Sequence, residues 1–122
     1  MSSIQQLATD QFASEVLESK TPVLVDFFAT WCGPCRSLTP VLERFAAEFT
    51  GKVKIVKVDV DAEPDLAERY DVDSLPTLIM FKGGKIVDQM NGAPAPHQLK
   101  AMLNDQLDPK SAAAALNAPW LR

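Results

Sequence analysis

The stretch PVLVDFFATWCGPC, residues 22–35, joins an apolar run to the only two cysteines of the chain. Apolar residues surround a single acid, Asp26, which is the pattern of a strand covered on both faces. Beyond the cysteines, apolar residues recur at the spacing of one helix face, at Leu38, Val41, Leu42, Phe45, Ala46 and Phe49. The cysteines therefore stand where a central strand ends and a helix begins, at the edge where α/β sheets present their sites.

The helix that follows the cysteines contains a proline, Pro40. Because proline lacks an amide hydrogen, we expect the helical hydrogen bonds to break there and the helix to bend. Gly51 is expected to end this helix.

The rest of the chain predicts further strands and helices in alternation. Thr9 and Asp10 are expected to cap a first helix over residues 9–19. Gly83 and Gly84 predict a tight hairpin turn between two antiparallel strands. The remaining predicted elements are a short strand near residues 4–7, a strand at 53–58, a helix at 62–70, hairpin strands at 77–81 and 85–90, and a helix from Pro96 with Leu99, Met102, Leu103 and Leu107 on its apolar face.

This order of elements predicts an α/β fold with a mixed sheet and helices on both faces, whose first crossover is parallel and right-handed. A length of 122 residues fits one domain with a core of its own. No internal repeat is evident.

Charge and composition exclude several classes of function. The net charge of −4 and the absence of a basic cluster argue against a nucleic-acid partner. No apolar run approaches the roughly 18 residues of a membrane-spanning helix, and the first residues lack the pattern of a signal peptide. We therefore expect an unprocessed cytoplasmic protein without a membrane association.

The spacing of the cysteines indicates redox chemistry. A helix N-terminus carries partial positive charge and free amides, which stabilise a thiolate on Cys32 and make it the nucleophile. Cys35 lies one turn further on the same face and can resolve a mixed disulfide formed at Cys32. Gly33 allows another backbone to approach, and Pro34 suits the first helical turn.

Other uses of a Cys-x-x-Cys pair fit less well. Zinc requires about four ligands, and the chain offers two cysteines and one distant histidine, His97, so we predict no metal site. Covalent haem requires a histidine after the second cysteine, where Arg36 stands. A bond across so short a loop is also a poor structural staple.

Four motifs in order, WCGPC at 31–35, KVDVD at 57–61, LPT at 75–77 and NGA at 91–93, resemble the thioredoxin family from about residue 9 to residue 107. The resemblance implies a thioredoxin fold with a mixed five-stranded sheet and about four helices. We accordingly predict a thioredoxin domain over residues 1–107 and a C-terminal extension over residues 108–122.

The resemblance also assigns roles beyond the cysteines. Asp26 matches the buried acid of the family, which exchanges a proton with Cys35, and burial should raise its pKa. The alternative for Asp26 is a strand-edge charge that faces water. Lys57 matches the lysine that tunes this acid, although a lysine in an alternating strand more often lies on the solvated face.

The substrate surface is likewise assigned by resemblance. Leu75 and Pro76 match a loop with a cis-proline that faces the cysteines and pairs with the substrate backbone, while Trp31 and Gly92 match residues that contact it or leave room for it. Gly33 and Pro34 complete this surface. Several positions depart from the common family pattern: Phe28 replaces a frequent tryptophan and Arg36 a frequent lysine. The segment Asp73-Ser74-Leu75 precedes the proline where a basic or neutral residue is often seen, and Asp73 places a negative charge beside the groove.

The function implied by the resemblance is reduction of protein disulfides through Cys32 and Cys35, with no bound cofactor. Electrons would come from NADPH through a flavin-dependent thioredoxin reductase. Partners would be that reductase and disulfide-containing proteins, and we expect a monomer. An oxidant or isomerase is the alternative enzyme, and a docking subunit is the alternative outside catalysis.

The end of the chain is the hardest part to interpret. Leu116, Trp120 and Leu121 are apolar, so the extension either docks on the domain or a neighbouring molecule or is a mobile tail.

Overall fold

A five-stranded mixed sheet forms the centre of the protein, in a computed structural model that describes residues 4–107. The strands are β1 Gln5–Gln6, β2 Val23–Phe28, β3 Lys54–Asp59, β4 Thr77–Lys82 and β5 Lys85–Asn91. Their spatial order is β1-β3-β2-β4-β5, with β1, β3 and β2 parallel and β4 antiparallel to both β2 and β5. The predicted mixed sheet, with a parallel first crossover and a terminal hairpin, is confirmed.

Within residues 4–107, four α-helices cover this sheet: α1 Thr9–Phe12, α2 Gly33–Glu48, α3 Pro64–Arg69 and α4 Pro96–Asp105. A π-helical segment, Ala13–Leu17, continues α1. One apolar core contains side chains of α2 and α4, and a second contains side chains of α1 and α3. Because each core also includes alternate residues of the central strands, the helices lie in pairs on opposite faces of the sheet.

The central strand β2 shows how the sequence alternation positions the site. Val23, Val25 and Phe27 belong to the core shared with α1 and α3, whereas Leu24 belongs to the core shared with α2 and α4. Asp26 lies two residues after Leu24, so its side chain points to the α2 side of the sheet. The acid thus lies on the sheet face that α2 covers.

The helix α2 contains Pro40 in its interior and continues as one element from Gly33 to Glu48. An interior proline costs a helix about 3 kcal/mol. Leu38, Leu42 and Phe45 are buried on both sides of Pro40, and each fully buried side chain of this size contributes about 1.5–3 kcal/mol. Packing against the sheet therefore outweighs the lost hydrogen bond.

The predicted cap of the first helix is wrong. The residue at the N-cap is Ala8, and its amide donates to Gln11 Oε1 over 2.9 Å. Thr9 is already helical, and its amide and hydroxyl both donate to Glu63 Oε1, over 2.7 and 2.9 Å. A carboxylate distant in sequence, rather than a local cap, thus satisfies one of the free amides at the start of this helix.

The last helix ends earlier than its apolar pattern indicates. Leu99, Met102 and Leu103 are buried as predicted, but Leu107 lies beyond Asp105 and is 41% exposed. Gln106 is buried instead, and its carbonyl accepts a hydrogen bond from Lys82 Nζ over 3.0 Å. Since the helical register stops at Asp105, the spacing no longer predicts which side chain faces the core.

The hairpin between β4 and β5 turns as predicted at Gly83 and Gly84, whose φ angles are 61° and 79°. At Gly84, a Cβ atom would lie 2.9 Å from the carbonyl oxygen of Leu17. The second glycine is thus required both by its left-handed backbone and by the close approach of the π-helical segment.

Predictions that concern residues 108–122, including Trp120, lie outside the described residues. Within residues 4–107, no helix combines the length and apolar character needed to span a membrane.

Candidate active site

Cys32 and Cys35 form a disulfide at the start of α2, with their Cα atoms 5.3 Å apart. Cys32 is the N-cap residue in extended conformation, and Gly33 and Pro34 form the beginning of the first turn. The amide of Cys35 donates to Cys32 Sγ over 3.2 Å. One of the free amides at this helix N-terminus is therefore directed at the first sulfur, as the sequence position indicates.

The two cysteines face different spaces. Cys32 lines a surface groove of about 400 Å³, together with Trp31, Gly33, Pro34 and Leu75. Cys35 lines a separate cavity of about 280 Å³, which also contains Asp26 and Lys57. The disulfide thus separates a groove open to a partner chain from a pocket that holds ionisable groups.

One wall of the groove is Trp31, whose side chain is 68% exposed. Its indole Nε1 donates to Asp61 Oδ2 over 2.7 Å, which orients the ring beside Cys32. The sequence did not assign Asp61 a role, although it ends the KVDVD motif. A hydrogen-bonded, exposed aromatic next to a sulfur is suited to contact a partner.

The opposite wall is the loop before β4. The Leu75–Pro76 peptide bond is cis, and Leu75 packs against the cluster that contains both cysteines. The amide of Gly92 donates to the Pro76 carbonyl over 2.7 Å, and Gly92 has a φ of 86°. Of these residues Leu75 lines the groove, and the hydrogen bond from Gly92 joins the residue after β5 to the same loop.

Asp26 is 4% exposed, which excludes the alternative of a charge that faces water. Its Oδ1 atom has no hydrogen-bond partner in the described part of the chain. Desolvation by burial raises the pKa of Asp26 to about 7, against an opposing attraction from the Lys57 ammonium. The acid can therefore gain and lose a proton near neutral pH.

Lys57 lies on β3 directly opposite Asp26 in the parallel register between β2 and β3. Its side chain is half-buried, and Nζ lies 5.5 Å from the ring centroid of Phe28. The structure thus brings Lys57 to the buried acid rather than to the solvated face. Phe28 contacts the lysine through a cation–π interaction.

Two residues of the cavity had no assigned role in the sequence. Arg36 and Thr39 line it, Arg36 Nη1 donates to the Thr30 carbonyl over 2.8 Å, and Thr39 Oγ1 donates to the Cys35 carbonyl over 3.2 Å. The sequence indicated them only by position, since Arg36 directly follows Cys35 and Thr39 lies one helical turn after it. His97 is exposed on α4. Residues 4–107 contain no group of three or more His, Cys, Asp or Glu side chains able to hold a metal ion.

Comparison with known proteins agrees with this geometry. The family model described as Thioredoxin matches residues 3–105. The chain is 50% identical over 93 residues to Thioredoxin 1 of Nostoc sp., covering 76% of this chain and 87% of the relative. The chain belongs to the thioredoxin family. It is also 46% identical over 98 residues to Thioredoxin C-2 of Corynebacterium nephridii, covering 80% of this chain and 91% of the relative.

Membership in this family and the Cys32–Cys35 disulfide make the protein a thiol-disulfide oxidoreductase with protein-disulfide reductase activity. The redox-active group is the cysteine pair itself.

Proposed function

We propose that the protein reduces disulfides of extended protein segments that lie in the groove, with Cys32 as the nucleophile and Cys35 as the resolving thiol. The observation that supports this assignment is the division of the pair, with Cys32 at the groove and Cys35 at the cavity of Asp26. A substrate sulfur can reach the first cysteine, and a proton acceptor lies beside the second.

The reaction consists of two thiol-disulfide exchanges. The Cys32 thiolate attacks one sulfur of the substrate disulfide, the substrate bond breaks, and one substrate thiolate leaves. The Cys35 thiol then loses its proton and attacks Cys32 Sγ, which forms the Cys32–Cys35 disulfide and releases the second substrate thiolate. The substrate gains two electrons, and the protein dithiol loses two.

The residues of the cavity handle the proton. Asp26 as a carboxylate accepts the proton of Cys35 and afterwards returns it, directly or through water, to a leaving thiolate. A pKa of about 7 lets the acid act in both directions near neutral pH. The charge of Lys57 attracts the carboxylate and so opposes the rise in pKa that burial causes, which influences how readily Asp26 ionises.

The residues of the groove position the substrate. Trp31 offers apolar contact surface. Leu75, which lines the groove with Cys32, and its cis neighbour Pro76 would offer backbone groups to the substrate. Gly92 leaves space because it carries no side chain, and no atom lies within 4 Å of where its Cβ would be. Gly33 and Pro34 complete the rim.

The oxidised pair must be reduced again for a second turnover. We propose that a thioredoxin reductase restores the dithiol with electrons from NADPH, as membership of the thioredoxin family indicates. Such a dithiol acts where thiols are kept reduced, which is the cytoplasm.

The division of labour between the cysteines can be tested by trapping. With a disulfide-linked peptide as substrate, C35S should accumulate a mixed disulfide through Cys32, and C32S should not; mass spectrometry of acid-quenched samples measures both. Equal trapping by the two variants would contradict the assignment.

The reducing direction can be tested by equilibrating the full chain with glutathione buffers. A reductase requires a potential at or below the cytosolic glutathione range, roughly −220 to −260 mV. A value above about −180 mV would instead favour an oxidant or isomerase. Retention of the cellular role by a C32S/C35S double variant would favour a docking subunit.

A further inference from the structure

The charge of the substrate groove is one-sided. Of the nine residues that line it within the described chain, one has a charged side chain, Asp73. Asp73 is exposed and lies two residues before Leu75, in the loop that faces Cys32. A substrate segment that enters the groove therefore passes a carboxylate that is free to interact with it.

The nearby cations are oriented towards other groups. Lys57 lies in the cavity beside Asp26 and over Phe28, and Arg36 lines the same cavity while donating to the Thr30 carbonyl. On the groove side, Asp61 holds the indole of Trp31 and adds a second negative charge near the rim. The electrostatic potential in the groove is thus more negative than that in the cavity behind the disulfide, which Lys57 and Arg36 line.

We propose that Asp73 makes the groove selective for disulfides whose cysteine is flanked by lysine or arginine, and against those flanked by acidic residues. This inference rests on the proposed reductase function of the same groove. It assigns a substrate class, cationic segments around a disulfide, to a surface whose other lining residues are apolar or neutral.

The size of the effect follows from the exposure of Asp73. An ion pair between exposed groups is worth about 0.2–1 kcal/mol, which corresponds to about a 1.4- to 5-fold change in a rate constant. Because an acidic flank is repelled by a similar amount, the two effects multiply, and the ratio between lysine- and glutamate-flanked substrates should reach about 2- to 25-fold. Salt should weaken this preference, since it screens charges at an exposed rim.

The test uses the reduced full-length protein and three symmetrical peptide disulfides that differ only in the residues beside cysteine, which are lysine, glutamate or glutamine. Single-turnover rate constants are measured at low and at high salt. We expect the order lysine, glutamine, glutamate at low salt and a smaller spread at high salt. In D73N the lysine-to-glutamate ratio should fall at least about 2-fold, and in D73K the order should reverse.

A matched control is D71N, which removes the same charge two residues away. Asp71 is exposed, does not line the groove, and has a φ of 54°, a left-handed conformation that asparagine also adopts. D71N should leave the lysine-to-glutamate ratio close to that of the unmodified protein.

The outcomes separate this inference from the function on which it rests. If no peptide is reduced, the proposed reductase function itself fails. If all three are reduced at equal rates, or if D71N lowers the ratio as much as D73N, the reductase function stands and the selectivity by Asp73 is refuted.

Discussion

Replacement of the buried acid should stabilise the protein in a pH-dependent manner. Asp26 has a pKa of about 7 in the folded protein and a reference value of 3.8. Between these values the unfolded chain releases the proton while the folded protein retains it, so the free energy of unfolding falls as pH rises and levels off above pH 7. A difference of about 3 units corresponds to about 4 kcal/mol. D26N lacks the titrating group and should avoid this loss.

The assay is chemical denaturation of the oxidised protein at several values from pH 4 to pH 8, with D26N and the unmodified chain compared at each. The stability of D26N relative to the unmodified protein should increase by about 4 kcal/mol over this interval. D71N, which removes an exposed carboxyl, reports the effect of losing a surface charge alone. If the relative stability changes by less than about 1 kcal/mol over this interval, the reasoning that burial raises the pKa of Asp26 is refuted.

Two further predictions concern Lys57, which lies opposite Asp26, and the two glycines of the hairpin turn. K57M should raise the pKa of Asp26 further, because it removes the Lys57 charge that opposes the effect of burial. The pH at which the free energy of unfolding levels off should therefore move above 7. An unchanged pH would contradict the attraction between Lys57 and Asp26. G84A should destabilise the protein by about 1 kcal/mol more than G83A. Both substitutions strain a left-handed backbone, but only G84A brings a Cβ to 2.9 Å from the Leu17 carbonyl oxygen. Equal losses of unfolding free energy in the two variants would contradict this.

Much of the fold could be predicted from residue patterns because its central strands and longest helix carry simple periodicities. The run around Asp26 indicated a strand covered on both faces, and β2 is buried on both. The glycine pair predicted the hairpin because few other residues adopt its backbone angles. An error arose where a contact distant in sequence decides, because Glu63 binds the Thr9 amide that starts α1.

The sequence indicated the cysteines and the buried acid, but not which cysteine lies at the groove and which at the cavity. The motif and its place at a helix start identified Cys32 and Cys35, and the apolar residues on either side of Asp26 indicated that this acid is buried. Periodicity alone favoured the wrong face for Lys57, because only the strand register shows that it lies opposite Asp26. Whether a cysteine faces the groove or the cavity depends on how α2 meets the sheet, which spacing along the chain does not encode.

The outer strand β5 bears on how the protein behaves at high concentration. It pairs with β4 on one side only in the described sheet, and an exposed edge of seven residues is a template for pairing with another copy. The register with β4 shifts between Met80 and Phe81, so Val87 is an additional residue that bends the strand, and Lys85 and Asp88 put charges along it. A second molecule therefore meets an irregular, charged border, which disfavours growth of the sheet into fibrils.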